Sequence, residues 1–233
     1  MKKVLMFIVM CATVIIITQS AQAAGIGVYG TGGVNFSTWN YKGASANSTD
    51  YFYGGGLVVD SNVARNELFG YRFTAGYEQY RLKDPDTDST SSAMHRVSMS
   101  HTFGFGIARN ETVRFWLGPR IGMHYLRYRD SYNTINMSMF PYVMPYPQNV
   151  KVTIDMIGID ALLAMGLNIN MGDVATIFFD LGIGYMGNYN IRVSERGHGF
   201  GVDGKIGFMF RINDNYKLTS STGNIKIEAQ EIK

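Results

Sequence analysis

Eleven charged side chains stand at alternate positions in segments whose intervening residues are apolar: Asp60, Arg72, Glu78, Arg96, Arg114, Arg120, Asp160, Asp180, Asp203, Lys205 and Arg211. Five are acids and six are bases, so as a set they nearly cancel. If all face one enclosed interior they must find partners, because a buried ion without a counter-charge is strongly destabilising. The chemistry they offer is ion pairing, a salt-bridge network that fills and plugs the space. The alternative is a gated polar pore lined by the same residues.

Other motifs offer less. Asp84, Asp86 and Asp88 alternate like the start of a calcium loop, but Ser89 stands where glycine is needed and His95 where a bidentate glutamate is needed. A solvated acidic loop is the reading. Two G-x-G-x-x-G matches, Gly25-Gly27-Gly30 and Gly199-Gly201-Gly204, lie inside alternating segments with no helix to follow, so neither cradles a phosphate. No cofactor and no metal are expected. A more unusual stretch holds Met137, Met139, Phe140, Tyr142, Met144 and Tyr146 together with Pro141, Pro145 and Pro147. An exposed apolar loop marks a contact surface or lid, here a site for an extracellular ligand. Packing across the mouth of the enclosed interior, or extension of the flanking hairpin, would serve as well.

Eight segments must position these groups. Each alternates at period two, which is the signal of a strand with two chemically different faces. They run 25–39, 51–60, 68–81, 95–107, 113–128, 155–170, 175–186 and 200–212. In the fourth, Val97, Met99, Phe103, Phe105 and Ile107 oppose Arg96, Ser98, Ser100, Thr102, Gly104 and Gly106. His101 falls on the apolar side at mid-strand, where a neutral imidazole bonded to a neighbouring strand is expected. Charged residues are only 17% of the chain against a usual quarter, while 27 of 233 residues are Gly, so a dense water-facing surface is lacking. Apolar faces nearly free of charge and polar faces rich in Gly, Ser and Thr suit lipid outside and a narrow filled interior inside. No run of 18 apolar residues suggests a membrane helix. Hydrocarbon offers no hydrogen-bond partners, so such a sheet must close.

Short breaks at 61–66, 110–111 and 171–173 alternate with long ones at 40–50, 82–94, 130–152 and 187–199. That is the pattern of short periplasmic turns and long outer loops. Aromatics gather at strand ends: Trp39, Tyr51, Tyr53, Tyr77, Tyr80, Tyr125, Tyr128 and Tyr185 beside the long loops, and Phe69, Tyr71, Phe115, Phe208 and Phe210 at the other end. Two outward-facing girdles are the expectation.

Residues 1–23 read as a signal peptide, with Lys2 and Lys3, an apolar core from Val4 to Ile17, and Ala21-Gln22-Ala23 as the cleavage site. Cys11, the single cysteine, lies within that segment, so the remainder has no disulfide. Without Lys2 and Lys3 the 21 bases fall to 19 against 18 acids, near +1, and no basic tract points to nucleic acid.

Taken with the closing strand, in which Val202, Ile206, Phe208 and Phe210 alternate toward a terminal aromatic, the chain resembles the small outer-membrane β-barrels of Gram-negative-type bacteria, the class typified by outer membrane proteins A, X and W. The resemblance covers about residues 24–212 and rests on pattern. It implies an all-β, eight-stranded, antiparallel, up-and-down transmembrane barrel with both termini in the periplasm. Its partners would be outer-membrane lipid and lipopolysaccharide-type glycolipid, with the barrel-assembly machinery reading the last strand during insertion. The sequence departs from the class in continuing past Phe210. Residues 213–233 read as a polar periplasmic tail, and weak alternation at Ile225, Ile227 and Ala229 keeps a ten-strand alternative open. A structural or surface-interaction role is the first functional reading, and a narrow channel for small or hydrophobic solutes, as in outer membrane protein W, the second. A lipid-modifying enzyme ranks third, and the chain is expected not to be an enzyme. None of His95, His101, His124 and His198 has a Ser two residues later, the spacing of the lipid A deacylases of this architecture.

Overall fold

The computed structural model describes residues 25–41, 44–61, 68–83, 94–130, 152–172, 174–190, 195–212, 219–221 and 224–226. Eight long strands form it: β1 (Gly25–Tyr41), β2 (Ala44–Asp60), β3 (Phe69–Lys83), β4 (Met94–Arg109), β5 (Val113–Asp130), β6 (Val152–Met171), β7 (Ala175–Asn190) and β8 (Arg196–Arg211). Each pairs antiparallel with its chain neighbour, and β8 pairs with β1 to close the barrel. Two three-residue strands, β9 (Thr219–Ser221) and β10 (Asn224–Lys226), form a separate hairpin. The barrel therefore has eight strands, and the ten-strand alternative is corrected: the segment around Ile225 pairs only with β9, because β1 and β8 already satisfy each other's edges.

The register fixes the barrel's shape. A path across the strands from Gly30 through Gly55, Tyr77, Val97, Tyr125, Ile157, Tyr189 and Arg196 returns to β1 at Asn40, ten residues further on. Eight strands with a stagger of ten tilt by about 40° around a backbone radius of about 8 Å. Such an interior is just wide enough for side chains to fill.

Residue parity decides what faces where. Outward-facing Val28, Phe36, Leu57, Val97, Ile121, Ile159, Leu163, Leu181, Phe200 and Phe210 are all exposed. Of the eleven charged side chains at alternate positions, the ten from Asp60 to Lys205 are buried. This inverts a water-soluble protein, and hydrocarbon is the medium in which the outer surface is stable. From Val97 to Ile107 the apolar run on β4 rises about 25 Å at that tilt, the height of a lipid-facing band.

The strands reach beyond that band. Two breaks expected to be long, 40–50 and 187–199, are mostly strand: β1 and β2 stay paired up to Tyr41–Ala44, while β7 runs to Asn190 and β8 begins at Arg196. Outside hydrocarbon both faces of a barrel wall are polar, so the alternation fades while the ladder continues. The breaks at 84–93 and 131–151 remain the long connections at this far end; the near end carries the chain entry at Gly25, the exit at Arg211 and the turns 110–112 and 172–174.

The girdle assignments also need correction at two residues. Trp39 and Tyr80 are buried inside, sharing parity with Asn35 and with Glu78 respectively. The outward tyrosines do mark the upper edge of the band, and their hydroxyls reach polar neighbours. Tyr53 donates to Gln79 Oε1 at 2.6 Å, Tyr125 to Asp155 Oδ1 at 2.6 Å, and Tyr77 is paired with His95 Nδ1. An aromatic body in lipid with a wet polar tip is what an interfacial tyrosine offers. Tyr71, expected among the outward rings of the near girdle, is covered by its neighbours, whereas Phe69, Phe115 and Phe210 are exposed.

Candidate functional site

The barrel interior is built in layers, with Gly at inward positions of every strand making room for the large groups. Near the short-turn end, the Arg72 guanidinium on β3 donates to Asp60 Oδ2 on β2 at 2.8 Å, to Asp180 Oδ1 on β7 at 2.6 Å and to Asn168 Oδ1 on β6 at 2.8 Å. Its carbon lies 4.3 Å from the Phe178 ring centre and 5.5 Å from that of Trp116. A planar, delocalised cation between rings and carboxylates is a task for which Arg is suited and Lys is not. The Trp116 indole fits because Gly104 and Gly166 stand against its face; a methyl group on Gly104 would meet the ring at 2.9 Å.

At mid-height, Arg120 on β5 is 2% exposed. Its Nη1 donates to both oxygens of Asp203 on β8, at 2.9 and 2.8 Å, and its Nε to Thr102 on β4 at 3.1 Å. Its Nη2 lies 3.5 Å from Asp180 Oδ2. Lys205 Nζ donates to Thr74 and Ser100 at 3.0 and 3.1 Å and sits 5.3 Å from the Tyr29 ring centre. Through Tyr29 the first strand joins the network.

Above this, Arg96 Nη2 on β4 donates to Asp160 Oδ2 on β6 at 2.9 Å, and Nη1 stands 3.3 Å from Glu78 Oε2 on β3. His124 completes the layer: Nδ1 lies 3.0 Å from Arg96 Nη2 and 3.2 Å from Asp160 Oδ2, and Nε2 lies 2.7 Å from Asn188 Oδ1. Ser98 donates to Glu78 Oε1 at 2.7 Å. The far end is closed by an apolar layer of Trp39, Phe52, Tyr80, Leu82, Met94, Leu126, Met156, Leu162 and Met186.

Of the charges singled out in the sequence, Asp60, Arg72, Glu78, Arg96, Arg120, Asp160, Asp180, Asp203 and Lys205 meet in these three layers. Arg114 and Arg211 lie at the near mouth. Arg114 is buried and reaches Leu68 O at 3.5 Å; Arg211 is half-buried and donates from Nε to Thr176 at 3.3 Å. Beside Arg114, Trp116 and Asp60 a cavity of about 10 Å³ has room for one water molecule. Met137, Met139, Phe140, Tyr142, Met144 and Tyr146 lie outside the described residues, as do residues 1–24, the acidic run 84–88 and most of the tail.

Sequence reasoning missed a second kind of site. Asp50, 0% exposed, accepts hydrogen bonds from Ser37 at 2.7 Å, Ser48 and Tyr80 at 2.5 Å each, and Asn35 at 3.3 Å, so its carboxyl is met by four neutral donors and, among the described residues, no cation. It lies in 40–50, where hydropathy predicts a loop; its parity with Asp60 on β2 is the signal that places it inside. His124 and Asn168 lie on polar faces the alternation marks, but no partner role is read from it, and Asn188 falls in the break 187–199 expected to be a loop. Among the described residues no cluster of three or more His, Cys, Asp or Glu side chains could hold a metal ion.

Geometry and surface together define a closed transmembrane β-barrel whose described interior is largely filled by side chains. No known protein-family pattern matches the chain, and no curated protein resembles it in sequence. Solved structures resemble it in fold. The outer membrane protein OprG from Pseudomonas aeruginosa is 10% identical, over 82% of this chain and 96% of that one, with a TM-score of 0.49. Neisserial surface protein A is 13% identical over 77% and 96%, with a TM-score of 0.32. Ail, the attachment invasion locus protein of Yersinia pestis, is 14% identical over 81% and 99%, with a TM-score of 0.33.

Proposed function

We propose that this is a bacterial outer-membrane barrel with a structural or surface-interaction role, exported by its N-terminal segment, whose lumen does not conduct. The barrel would stand with its short turns and termini in the periplasm and its far end outside, meeting lipid and lipopolysaccharide-type glycolipid along the wall. One observation carries the closed-lumen reading: Arg72, Arg96 and Arg120, all buried, each tie three or four strands together through the middle of the barrel. Opening a path would strand several charges in a low-dielectric interior. With the lumen filled, contacts fall to the far-end segments, and the apolar stretch 137–147 is the contact site this reading favours.

Conductance across a planar bilayer tests it. The reading expects no discrete openings, together with loss of host-surface or glycolipid binding when residues 137–147 are deleted. Openings that vanish on Arg120→Ala or Asp180→Ala would support the second reading, a narrow channel for small or hydrophobic solutes. What favours that reading is the apolar far-end layer, in particular Trp39, Phe52, Leu126 and Met156, which a greasy solute would wet. No catalytic role is assigned; unchanged lipid A mass spectra on expression are the expected result.

A further inference from the structure

Among the described residues, the outward wall carries one polar pair in the middle of its apolar band, with His101 half-buried and Tyr71 largely covered by the surrounding rings. His101 stands on β4 midway between Val97 and Ile107, with Phe73 opposite it on β3 and Ile121 on β5. The Tyr71 hydroxyl and His101 Nδ1 are 2.6 Å apart. Rings surround the pair: Phe73 lies 5.3 Å and Tyr71 6.0 Å from the imidazole centre, Phe103 lies 5.5 Å from Tyr71, and Phe69 5.6 Å from Phe105. The opposite wall, by contrast, presents Ile157, Ile159, Leu163, Leu181 and Ile183. Polar groups on a lipid face are costly, so a pair held there calls for a use.

Counting donors and acceptors identifies its complement. A phenol and a neutral imidazole joined by one hydrogen bond always have one donor and one acceptor left over. If Tyr71 donates to Nδ1, the Nε2 hydrogen and a phenol lone pair remain. If Nδ1 donates to Tyr71, the phenol hydrogen and the Nε2 lone pair remain. No described residue takes either leftover group, and hydrocarbon cannot. A pair offering one donor and one acceptor is complementary to itself, which is the condition for contact across a two-fold axis.

We propose that the β3–β4 wall is a dimer interface within the bilayer, in which the Tyr71–His101 pairs of two copies of this chain satisfy each other and the rings of Phe69, Phe73, Phe103 and Phe105 pack around them. The proposal rests on the outward face lying in hydrocarbon. Cysteine cross-linking in lipid vesicles tests it, using the full chain with Cys11→Ser. Ala75→Cys places a thiol on the outward face of β3, two residues from Phe73 and near His101; Ala161→Cys places one on the outward face of β6 as a control.

Mild oxidation is expected to give disulfide dimers from the first at least tenfold faster than from the second. Adding His101→Phe should reduce dimer formation roughly tenfold, since two hydrogen bonds are lost per dimer. His101→Gln keeps both a donor and an acceptor and should restore much of it. Equal yields at the two positions, or a yield indifferent to His101→Phe, would overturn the proposal. Retention of the heat-sensitive gel mobility of a folded barrel shows that each variant is intact. Failure to co-float with vesicles would instead refute the membrane reading beneath the proposal.

Discussion

Arg120 touches Thr102, Asp180 and Asp203, so one side chain links β4, β5, β7 and β8. Removing one member of a buried ion group leaves its partners charged and unpaired, which costs about 3–5 kcal/mol. Arg120→Met is therefore expected to destabilise the barrel by about that much in urea unfolding from lipid vesicles. Replacing both members with apolar groups is far less costly, so adding Asp203→Leu should recover at least about 1 kcal/mol. A strictly additive double mutant would mean that the two groups do not interact. Glu195, outside the strands, shows the opposite electrostatics. Burial pushes its carboxyl above the usual value of 4.5, against the opposing hydrogen bond from Asn190. A raised folded-state value means the folded form holds the proton more tightly, so stability falls as pH rises from the ordinary carboxylate range through the raised one. Glu195→Gln should thus raise the melting temperature at pH 8 and leave it nearly unchanged at pH 4.

Strands, rather than loops, make up much of the far end. Amides of Ser48 and Thr49 on β2 and of Asn188 and Asn190 on β7 are expected to exchange slowly with deuterium in detergent, because ladder partners hold them. Fast exchange there would restore the long loops that hydropathy alone suggests. The near-end turn between β6 and β7 depends on Gly172 at φ 58°, so Gly172→Val should cost about 1–2 kcal/mol. These elements show where the sequence was legible and where it was not. Period-two alternation located all eight strands and put nine network charges on the correct face, because one side of each strand must match hydrocarbon. It failed for 40–50, where water lies on the outside and nothing forces alternation. It also lost Trp39 and Tyr80, because aromatic residues near strand ends suit both a girdle and a plug; only parity separates the two. Asp50 stayed hidden for the first reason, although the residues that solvate it, Ser37 and Tyr80, lie on strands already recognised.

At the scale of the whole molecule, the proposed function requires that the apolar wall meet acyl chains while the interior excludes lipid and bulk water. Strand β6 can report on both statements at once. Nitroxide labels would be placed singly at Ile157, Gly158, Ile159, Asp160, Ala161, Leu162, Leu163 and Ala164 in bilayers, and their collision rates measured with oxygen and with a water-soluble nickel chelate. Ile157, Ile159 and Leu163 are exposed on the outside, whereas Leu162 and Ala164 are buried within. Oxygen accessibility is expected to peak at 157, 159, 161 and 163, with the even positions closed to both reagents. Nickel access at the even positions would reveal a water-filled pore, and oxygen peaks at the even positions would show that the wall has been read inside out.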